Sequence, residues 1–230
     1  MKGSHSIELQ HINVKLLLKD SQGVDLNPLI PVFHSWIQGQ VCDELLLDVA
    51  DYRHVYGGPG VVLIGHEADY SIDNTDNRLG VRYNRKAVLG GGNQERLAQA
   101  ALAALTACQH LHEDTRLNGK FHFNGQDIEI FVNDRLLAPN NEARREALSA
   151  EFQAFSERIF GETEYSLSFG DDPGRLLGVS LRTSQPVSVE NLLQNLRSAP
   201  TAEDLAKHGP SSAVPDYDWR EELKAAHGAD

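Results

Sequence analysis

Residues 44–73 read ELLLDVADYRHVYGGPGVVLIGHEADYSID. Two apolar runs, Leu45-Leu46-Leu47 and Val61-Val62-Leu63-Ile64, each break abruptly into ionisable residues. The turn Gly57-Gly58-Pro59-Gly60 between them can bring the two runs side by side. Short apolar runs bounded by turn residues are strands, and tight turns join strands into antiparallel hairpins. Residues 44–50, 60–73 and 79–86 therefore read as three strands, with a polar turn over 74–77. Hairpins in place of regular strand–helix alternation argue for an α+β fold over a doubly wound parallel sheet.

Outward from this stretch, Ile12, Val14, Leu16 and Leu18 alternate with Asn13, Lys15 and Leu17 and predict a strand over 7–19 with one buried face. After Pro28 and Pro31, VFHSWIQ reads as a short helix. Gly90-Gly91-Gly92-Asn93 opens a helix whose apolar stripe is Leu97, Ala101, Leu105, Cys108 and Leu111. A second strand starts at Phe121, with Ile128, Ile130 and Val132 on one side. Leu148, Phe152, Phe155 and Ile159 mark the core face of another helix, with Glu142 near its start and Gly161 as its stop. Strands over 164–169 and 176–182 and a short helix near 188–197 follow. The expected architecture is a mainly antiparallel sheet of hairpins packed against two main amphipathic helices.

Residues 69–73, DYSID, followed by 78–82, RLGVR, echo 164–168, EYSLS, followed by 175–180, RLLGVS. Two related βαββ-type halves, 7–117 and 120–198, would explain the echo within a single domain over 1–198. Residues 199–230 form an acidic, Pro-containing tail, in which Tyr217 and Trp219 are candidates for docking a partner.

Of the 230 residues, 40% are hydrophobic and 23% charged, as in ordinary globular chains. The net charge of −12 repels phosphate backbones and anionic membranes, so neither nucleic acid nor membrane is an expected partner. No apolar run is long enough to span a bilayer, and the opening residues MKGSHSIELQH carry no leader-like apolar segment. Two cysteines, Cys42 and Cys108, lack the spacing of a metal or redox motif, so a reducing, cytoplasmic location is expected.

Three groups of residues carry candidate chemistry. The first is Asp48, Asp51, His54, His66 and Glu67, types that serve metal binding and acid–base catalysis. If 60–73 is one regular strand, alternation separates His66 from Glu67 and leaves His66, Asp48 and His54 as the group able to converge. HExxH is absent, and no metal is assigned. The second group is Gly91, Gly92 and Asn93 at a helix start, with Arg82 as a supporting charge, arranged as an anion site. Neither phosphate-loop signature is present, and GxSxG is absent too. The third, Asn133-Asp134-Arg135, reads as a local turn network.

No catalytic or cofactor signature therefore stands out. The expected function is that of a non-enzymatic binding or assembly protein acting through protein–protein contacts, with homodimer formation through an exposed strand such as 121–132. The alternative is a small enzyme or sensor binding a metal or polar ligand along 48–67.

Overall fold

The structure is a computed structural model and describes residues 7–198. Eight strands and four helices follow in the order β1 (Ile12–Leu18), α1 (Leu29–Gly39), β2 (Leu46–Tyr52), β3 (Gly60–Gly65), β4 (Ala68–Asp73), β5 (Gly80–Arg85), α2 (Asn93–Glu113), β6 (Phe123–Val132), α3 (Glu142–Phe160), β7 (Tyr165–Phe169), β8 (Leu177–Thr183) and α4 (Val189–Arg197). The strands form one antiparallel sheet in the order β2-β3-β4-β5-β1-β6-β8-β7. The α+β class expected from the hairpins is the class found.

Register fixes the core. One row runs across the whole sheet through Val49, Leu63, Tyr70, Tyr83, Val14, Ile130, Val179 and Phe169. The helices cover this apolar face: α2 lies on β1 and β5, α1 on β2 and β3, α3 on β7 and β8, and α4 on β6. Trp36 of α1 meets His110 of α2 edge-on, with ring centroids 5.7 Å apart. Leu97, Ala101, Leu105, Cys108 and Leu111 of α2 are buried, as are Leu148, Phe152, Phe155 and Ile159 of α3. Both stripes follow from the helical period. Helix α1 starts at Leu29, earlier than the sequence reading, because Pro31 sits in the first turn, where its missing N–H has no intrahelical partner to lose.

The next row, on the opposite face, is Ala50, Val62, Ser71, Arg82, Lys15, Glu129, Ser180 and Ser168. At its centre Lys15 and Asp73 are each only 2% exposed and form an ion pair of 2.5 Å. Asp73 also accepts from the Thr75 hydroxyl at 2.8 Å, and Arg82 stands 3.8 Å away, with its guanidinium over the Phe131 ring.

Two strand expectations are corrected. Residues 60–73 are not one strand but a hairpin, with His66-Glu67 as the turn between β3 and β4. Gly65 permits the reversal, since a Cβ there would stand 2.4 Å from the Ala68 carbonyl oxygen. The turn shifts the alternation, so Leu63 pairs with Tyr70 and shares its face. Strand β6, expected to offer a free edge, is hydrogen-bonded on both sides, by β1 and β8. The free edges are β2 and β7.

The strand order repeats about the β1–β6 seam, with β1-β5-β4 on one side and β6-β8-β7 on the other. Each set is a strand, a helix and then a hairpin, with β2–β3 standing between the helix and the hairpin of the first. The hairpin registers differ by two residues: Ile72 faces Val81, but Leu167 faces Leu181 instead of Val179. An even shift keeps every side chain on its face.

Candidate functional site

The first sequence-derived group does not converge. His66 is largely exposed in the β3–β4 turn, where its Nδ1 lies 3.1 Å from Glu67 Oε1. The two residues expected to point apart are therefore in contact, because the chain has already left the strand. Glu67 also accepts the Leu45 amide at 3.3 Å. Asp48 accepts the amide of its own neighbour Val49 at 2.7 Å. Asp51 grips Arg53 through bonds of 2.8 and 2.6 Å, and that guanidinium holds its carboxyl down to about 2. His54 lies beyond the Tyr52 end of β2, whereas His66 follows Gly65, the partner of Leu46. A strand of that length puts the two histidines about 20 Å apart. Among the described residues no three His, Cys, Asp or Glu side chains gather as metal ligands.

The second group is divided between faces. Gly92 caps α2, and its amide donates to Glu95 Oε2 at 2.6 Å. Gly91 has φ +85°, and a Cβ there would stand 2.2 Å from Glu95 Oε2. The glycines thus fit a side-chain cap of the helix. Asn93 is committed as well: its Oδ1 accepts the Leu9 amide and its Nδ2 donates to the Ile7 carbonyl, both at 2.8 Å. Arg82 lies on the open face of β5, while its neighbour Tyr83 points to α2 and bonds Gln99 at 3.0 Å. Asp134 accepts the Leu136 and Leu137 amides, as a turn network requires. Tyr217 and Trp219 lie outside the described residues.

A different polar cluster is built from the ends of the 44–73 stretch. Glu44 is 6% exposed and accepts from the Tyr70 hydroxyl at 2.7 Å and the Tyr83 hydroxyl at 2.8 Å. Cys42 lies beside Tyr70. Burial pushes the Cys42 thiol up to about 12, against a hydrogen bond with Tyr70 and with help from the Glu44 and Asp43 carboxylates. Burial first, and then nearby negative charge, raises both tyrosine hydroxyls. Sequence reasoning missed Glu44 because its partners, Tyr70 and Tyr83, come from β4 and β5, 26 and 39 residues further along the chain.

These shifts set an alkaline limit. Unfolded, the thiol ionises near 9.0 and the phenols near 10.0. Folded, all three keep their protons to higher pH, so their contribution to stability is complete below about pH 9 and is lost as pH rises toward 12. The urea midpoint should fall steadily above about pH 9, and less steeply in Cys42→Ala. An unchanged midpoint up to about pH 11 would contradict the cluster.

The remaining feature is the β2 edge. Among the described residues, five of the eight exposed large hydrophobic side chains fall between Leu45 and Tyr56: Leu45 (48%), Leu47 (52%), Tyr52 (44%), Val55 (44%) and Tyr56 (90%). Of the run Leu45-Leu46-Leu47, only Leu46 is buried. Consecutive residues of a strand cannot share one face, and the pairing slips by one residue between Leu46 and Asp48. The other free edge, β7, exposes Ser166 and Ser168 instead. No described helix is long and apolar enough to cross a membrane. No family model, curated protein or solved structure matches this chain.

Proposed function

We propose that this chain is a binding or assembly protein acting through protein–protein contacts, with the β2 edge as its docking surface and a second copy of the chain as the occupant. The observation that carries this reading is the concentration of exposed apolar side chains on and beside an edge strand: Leu47 and Tyr52 on β2, with Leu45, Val55 and Tyr56 flanking it. Monomeric proteins rarely leave such an edge open.

A two-fold at Val49 suits a second copy. It would bring the Leu45–Leu47 end of one β2 toward the Tyr52–Val55 end of the other, with Leu47 directly opposite Asp51. It would also set Asp48 opposite Ala50, avoiding direct contact between carboxylates. Asp48 and Asp51 on the same strand discourage promiscuous pairing. The net charge of −12 favours a protein partner over nucleic acid, and the two free thiols suit a reducing, cytoplasmic compartment.

Sedimentation equilibrium tests the assignment. A concentration-dependent dimer is expected, weakened at least about tenfold by Leu47→Asp, which faces Asp51 of the other copy, a loss of roughly 1.4 kcal/mol. Ser168→Lys, on the β7 edge, should leave association unchanged. A wild-type chain that stays monomeric across micromolar to millimolar concentrations rejects the self-association reading.

A further inference from the structure

Helix α2 runs between two walls of opposite charge. On one side, the loop from α1 to β2 supplies Asp43 and Glu44, with Tyr70 of β4 behind them. On the other, Arg158 near the end of α3 and Arg197 at the end of α4 line the same cavity. The cavity has a volume of about 450 Å³, in the range of small-ligand sites. Its floor is the outer surface of α2, at Ala98, Leu102, Ala103 and Thr106.

The acidic wall holds a charge without a counter-ion. Glu44 takes two tyrosine hydroxyls but makes no ion pair among the described residues, and neither do Arg158 and Arg197. Burying a lone carboxylate is costly, and two hydroxyl donors leave acceptor sites on its oxygens open. Arg158 spends one N–H on the Leu196 carbonyl at 3.1 Å and keeps others available. Guanidinium groups match a carboxylate in geometry as well as charge.

We propose that this cavity binds a free peptide of about three residues, its N-terminal ammonium toward Glu44 and its C-terminal carboxylate toward Arg158 and Arg197. The length follows from the span. A helix with its side chains is about 10 Å across, and an extended chain covers roughly 3.3–3.6 Å per residue. A simple amine or a simple carboxylic acid would satisfy one wall only. The small side chains of Ala98 and Ala103 admit a peptide backbone close to α2, and Leu102 offers apolar contact to its middle side chain.

Calorimetric titration of the full chain with Ala-Leu-Ala, its N-acetyl form and its C-terminal amide tests this. The free tripeptide should bind, and each blocked form should bind at least about tenfold more weakly. Glu44→Gln should abolish the preference for the free amine, and the double variant Arg158→Ala with Arg197→Ala the preference for the free carboxylate. The peptide comparison on wild-type protein stands even if a variant folds poorly. No binding by the free tripeptide, or equal binding by its blocked forms, overturns the proposal. Leu47→Asp should leave the titration unaltered, so this site and the β2 edge fail or stand separately.

Discussion

Asp73→Ala should destabilise the folded chain by about 3–5 kcal/mol, the cost of stranding one member of a buried ion pair. Lys15 would keep the Thr75 carbonyl, at 3.4 Å, as its one remaining hydrogen-bond partner. Its ammonium would have no route to water, since Lys15 is 2% exposed. The reverse variant, Lys15→Ala, should cost less. Asp73 would still accept from the Thr75 hydroxyl and amide and face Arg82 at 3.8 Å. Replacing both members with apolar residues, Lys15→Met with Asp73→Leu, should recover most of the loss, because no charge is left buried. Urea unfolding followed by circular dichroism gives all three values. A loss below about 1 kcal/mol for Asp73→Ala would mean that the pair reaches water and is an ordinary surface contact.

Phe152→Ala should cost a comparable 3–5 kcal/mol through the cavity it leaves. Phe152 is 0% exposed, and its ring meets that of Phe169 at 5.8 Å and 74°, an edge-to-face contact between α3 and β7. Strand β7 is held on one side only, by β8, so the loss of this contact loosens an edge of the sheet. Phe152→Leu, which keeps most of the volume, should cost clearly less than the alanine variant. Equal losses for the two would show that the ring's shape matters more than the space it fills. Against typical domain stabilities of about 5–15 kcal/mol, either alanine variant removes a large share of the total.

These two residues mark how far the sequence could be read. The burial of Phe152 followed from Leu148, Phe155 and Ile159 at helical spacing, and helical periodicity is a local property. Lys15 stood in the polar phase of a strand and suggested nothing beyond a solvated face. Its burial depends on Arg82 of β5, Glu129 of β6 and Asp73 of β4, which pairing brings alongside from distant parts of the chain.

The candidate site was legible in part. The 44–73 stretch holds both Glu44 with Tyr70 and the exposed β2 residues. The convergence expected of His66, Asp48 and His54 did not occur, because it rested on treating 60–73 as one strand. Gly65 was the one visible warning, and a single glycine in a strand pattern signals a bulge, a bend or a close approach without saying which.

By itself the sequence determined the α+β class, the helices with their buried stripes and most of the strands. Turn residues and hydrophobic period act over a few positions and need no partner. Only the tertiary structure decided that β6 is central, that β2 is an edge and that Glu44 and Lys15 are buried. Edge or centre, and solvent or core on a polar face, depend on which strands lie alongside, and that is settled by pairings between residues far apart in the chain.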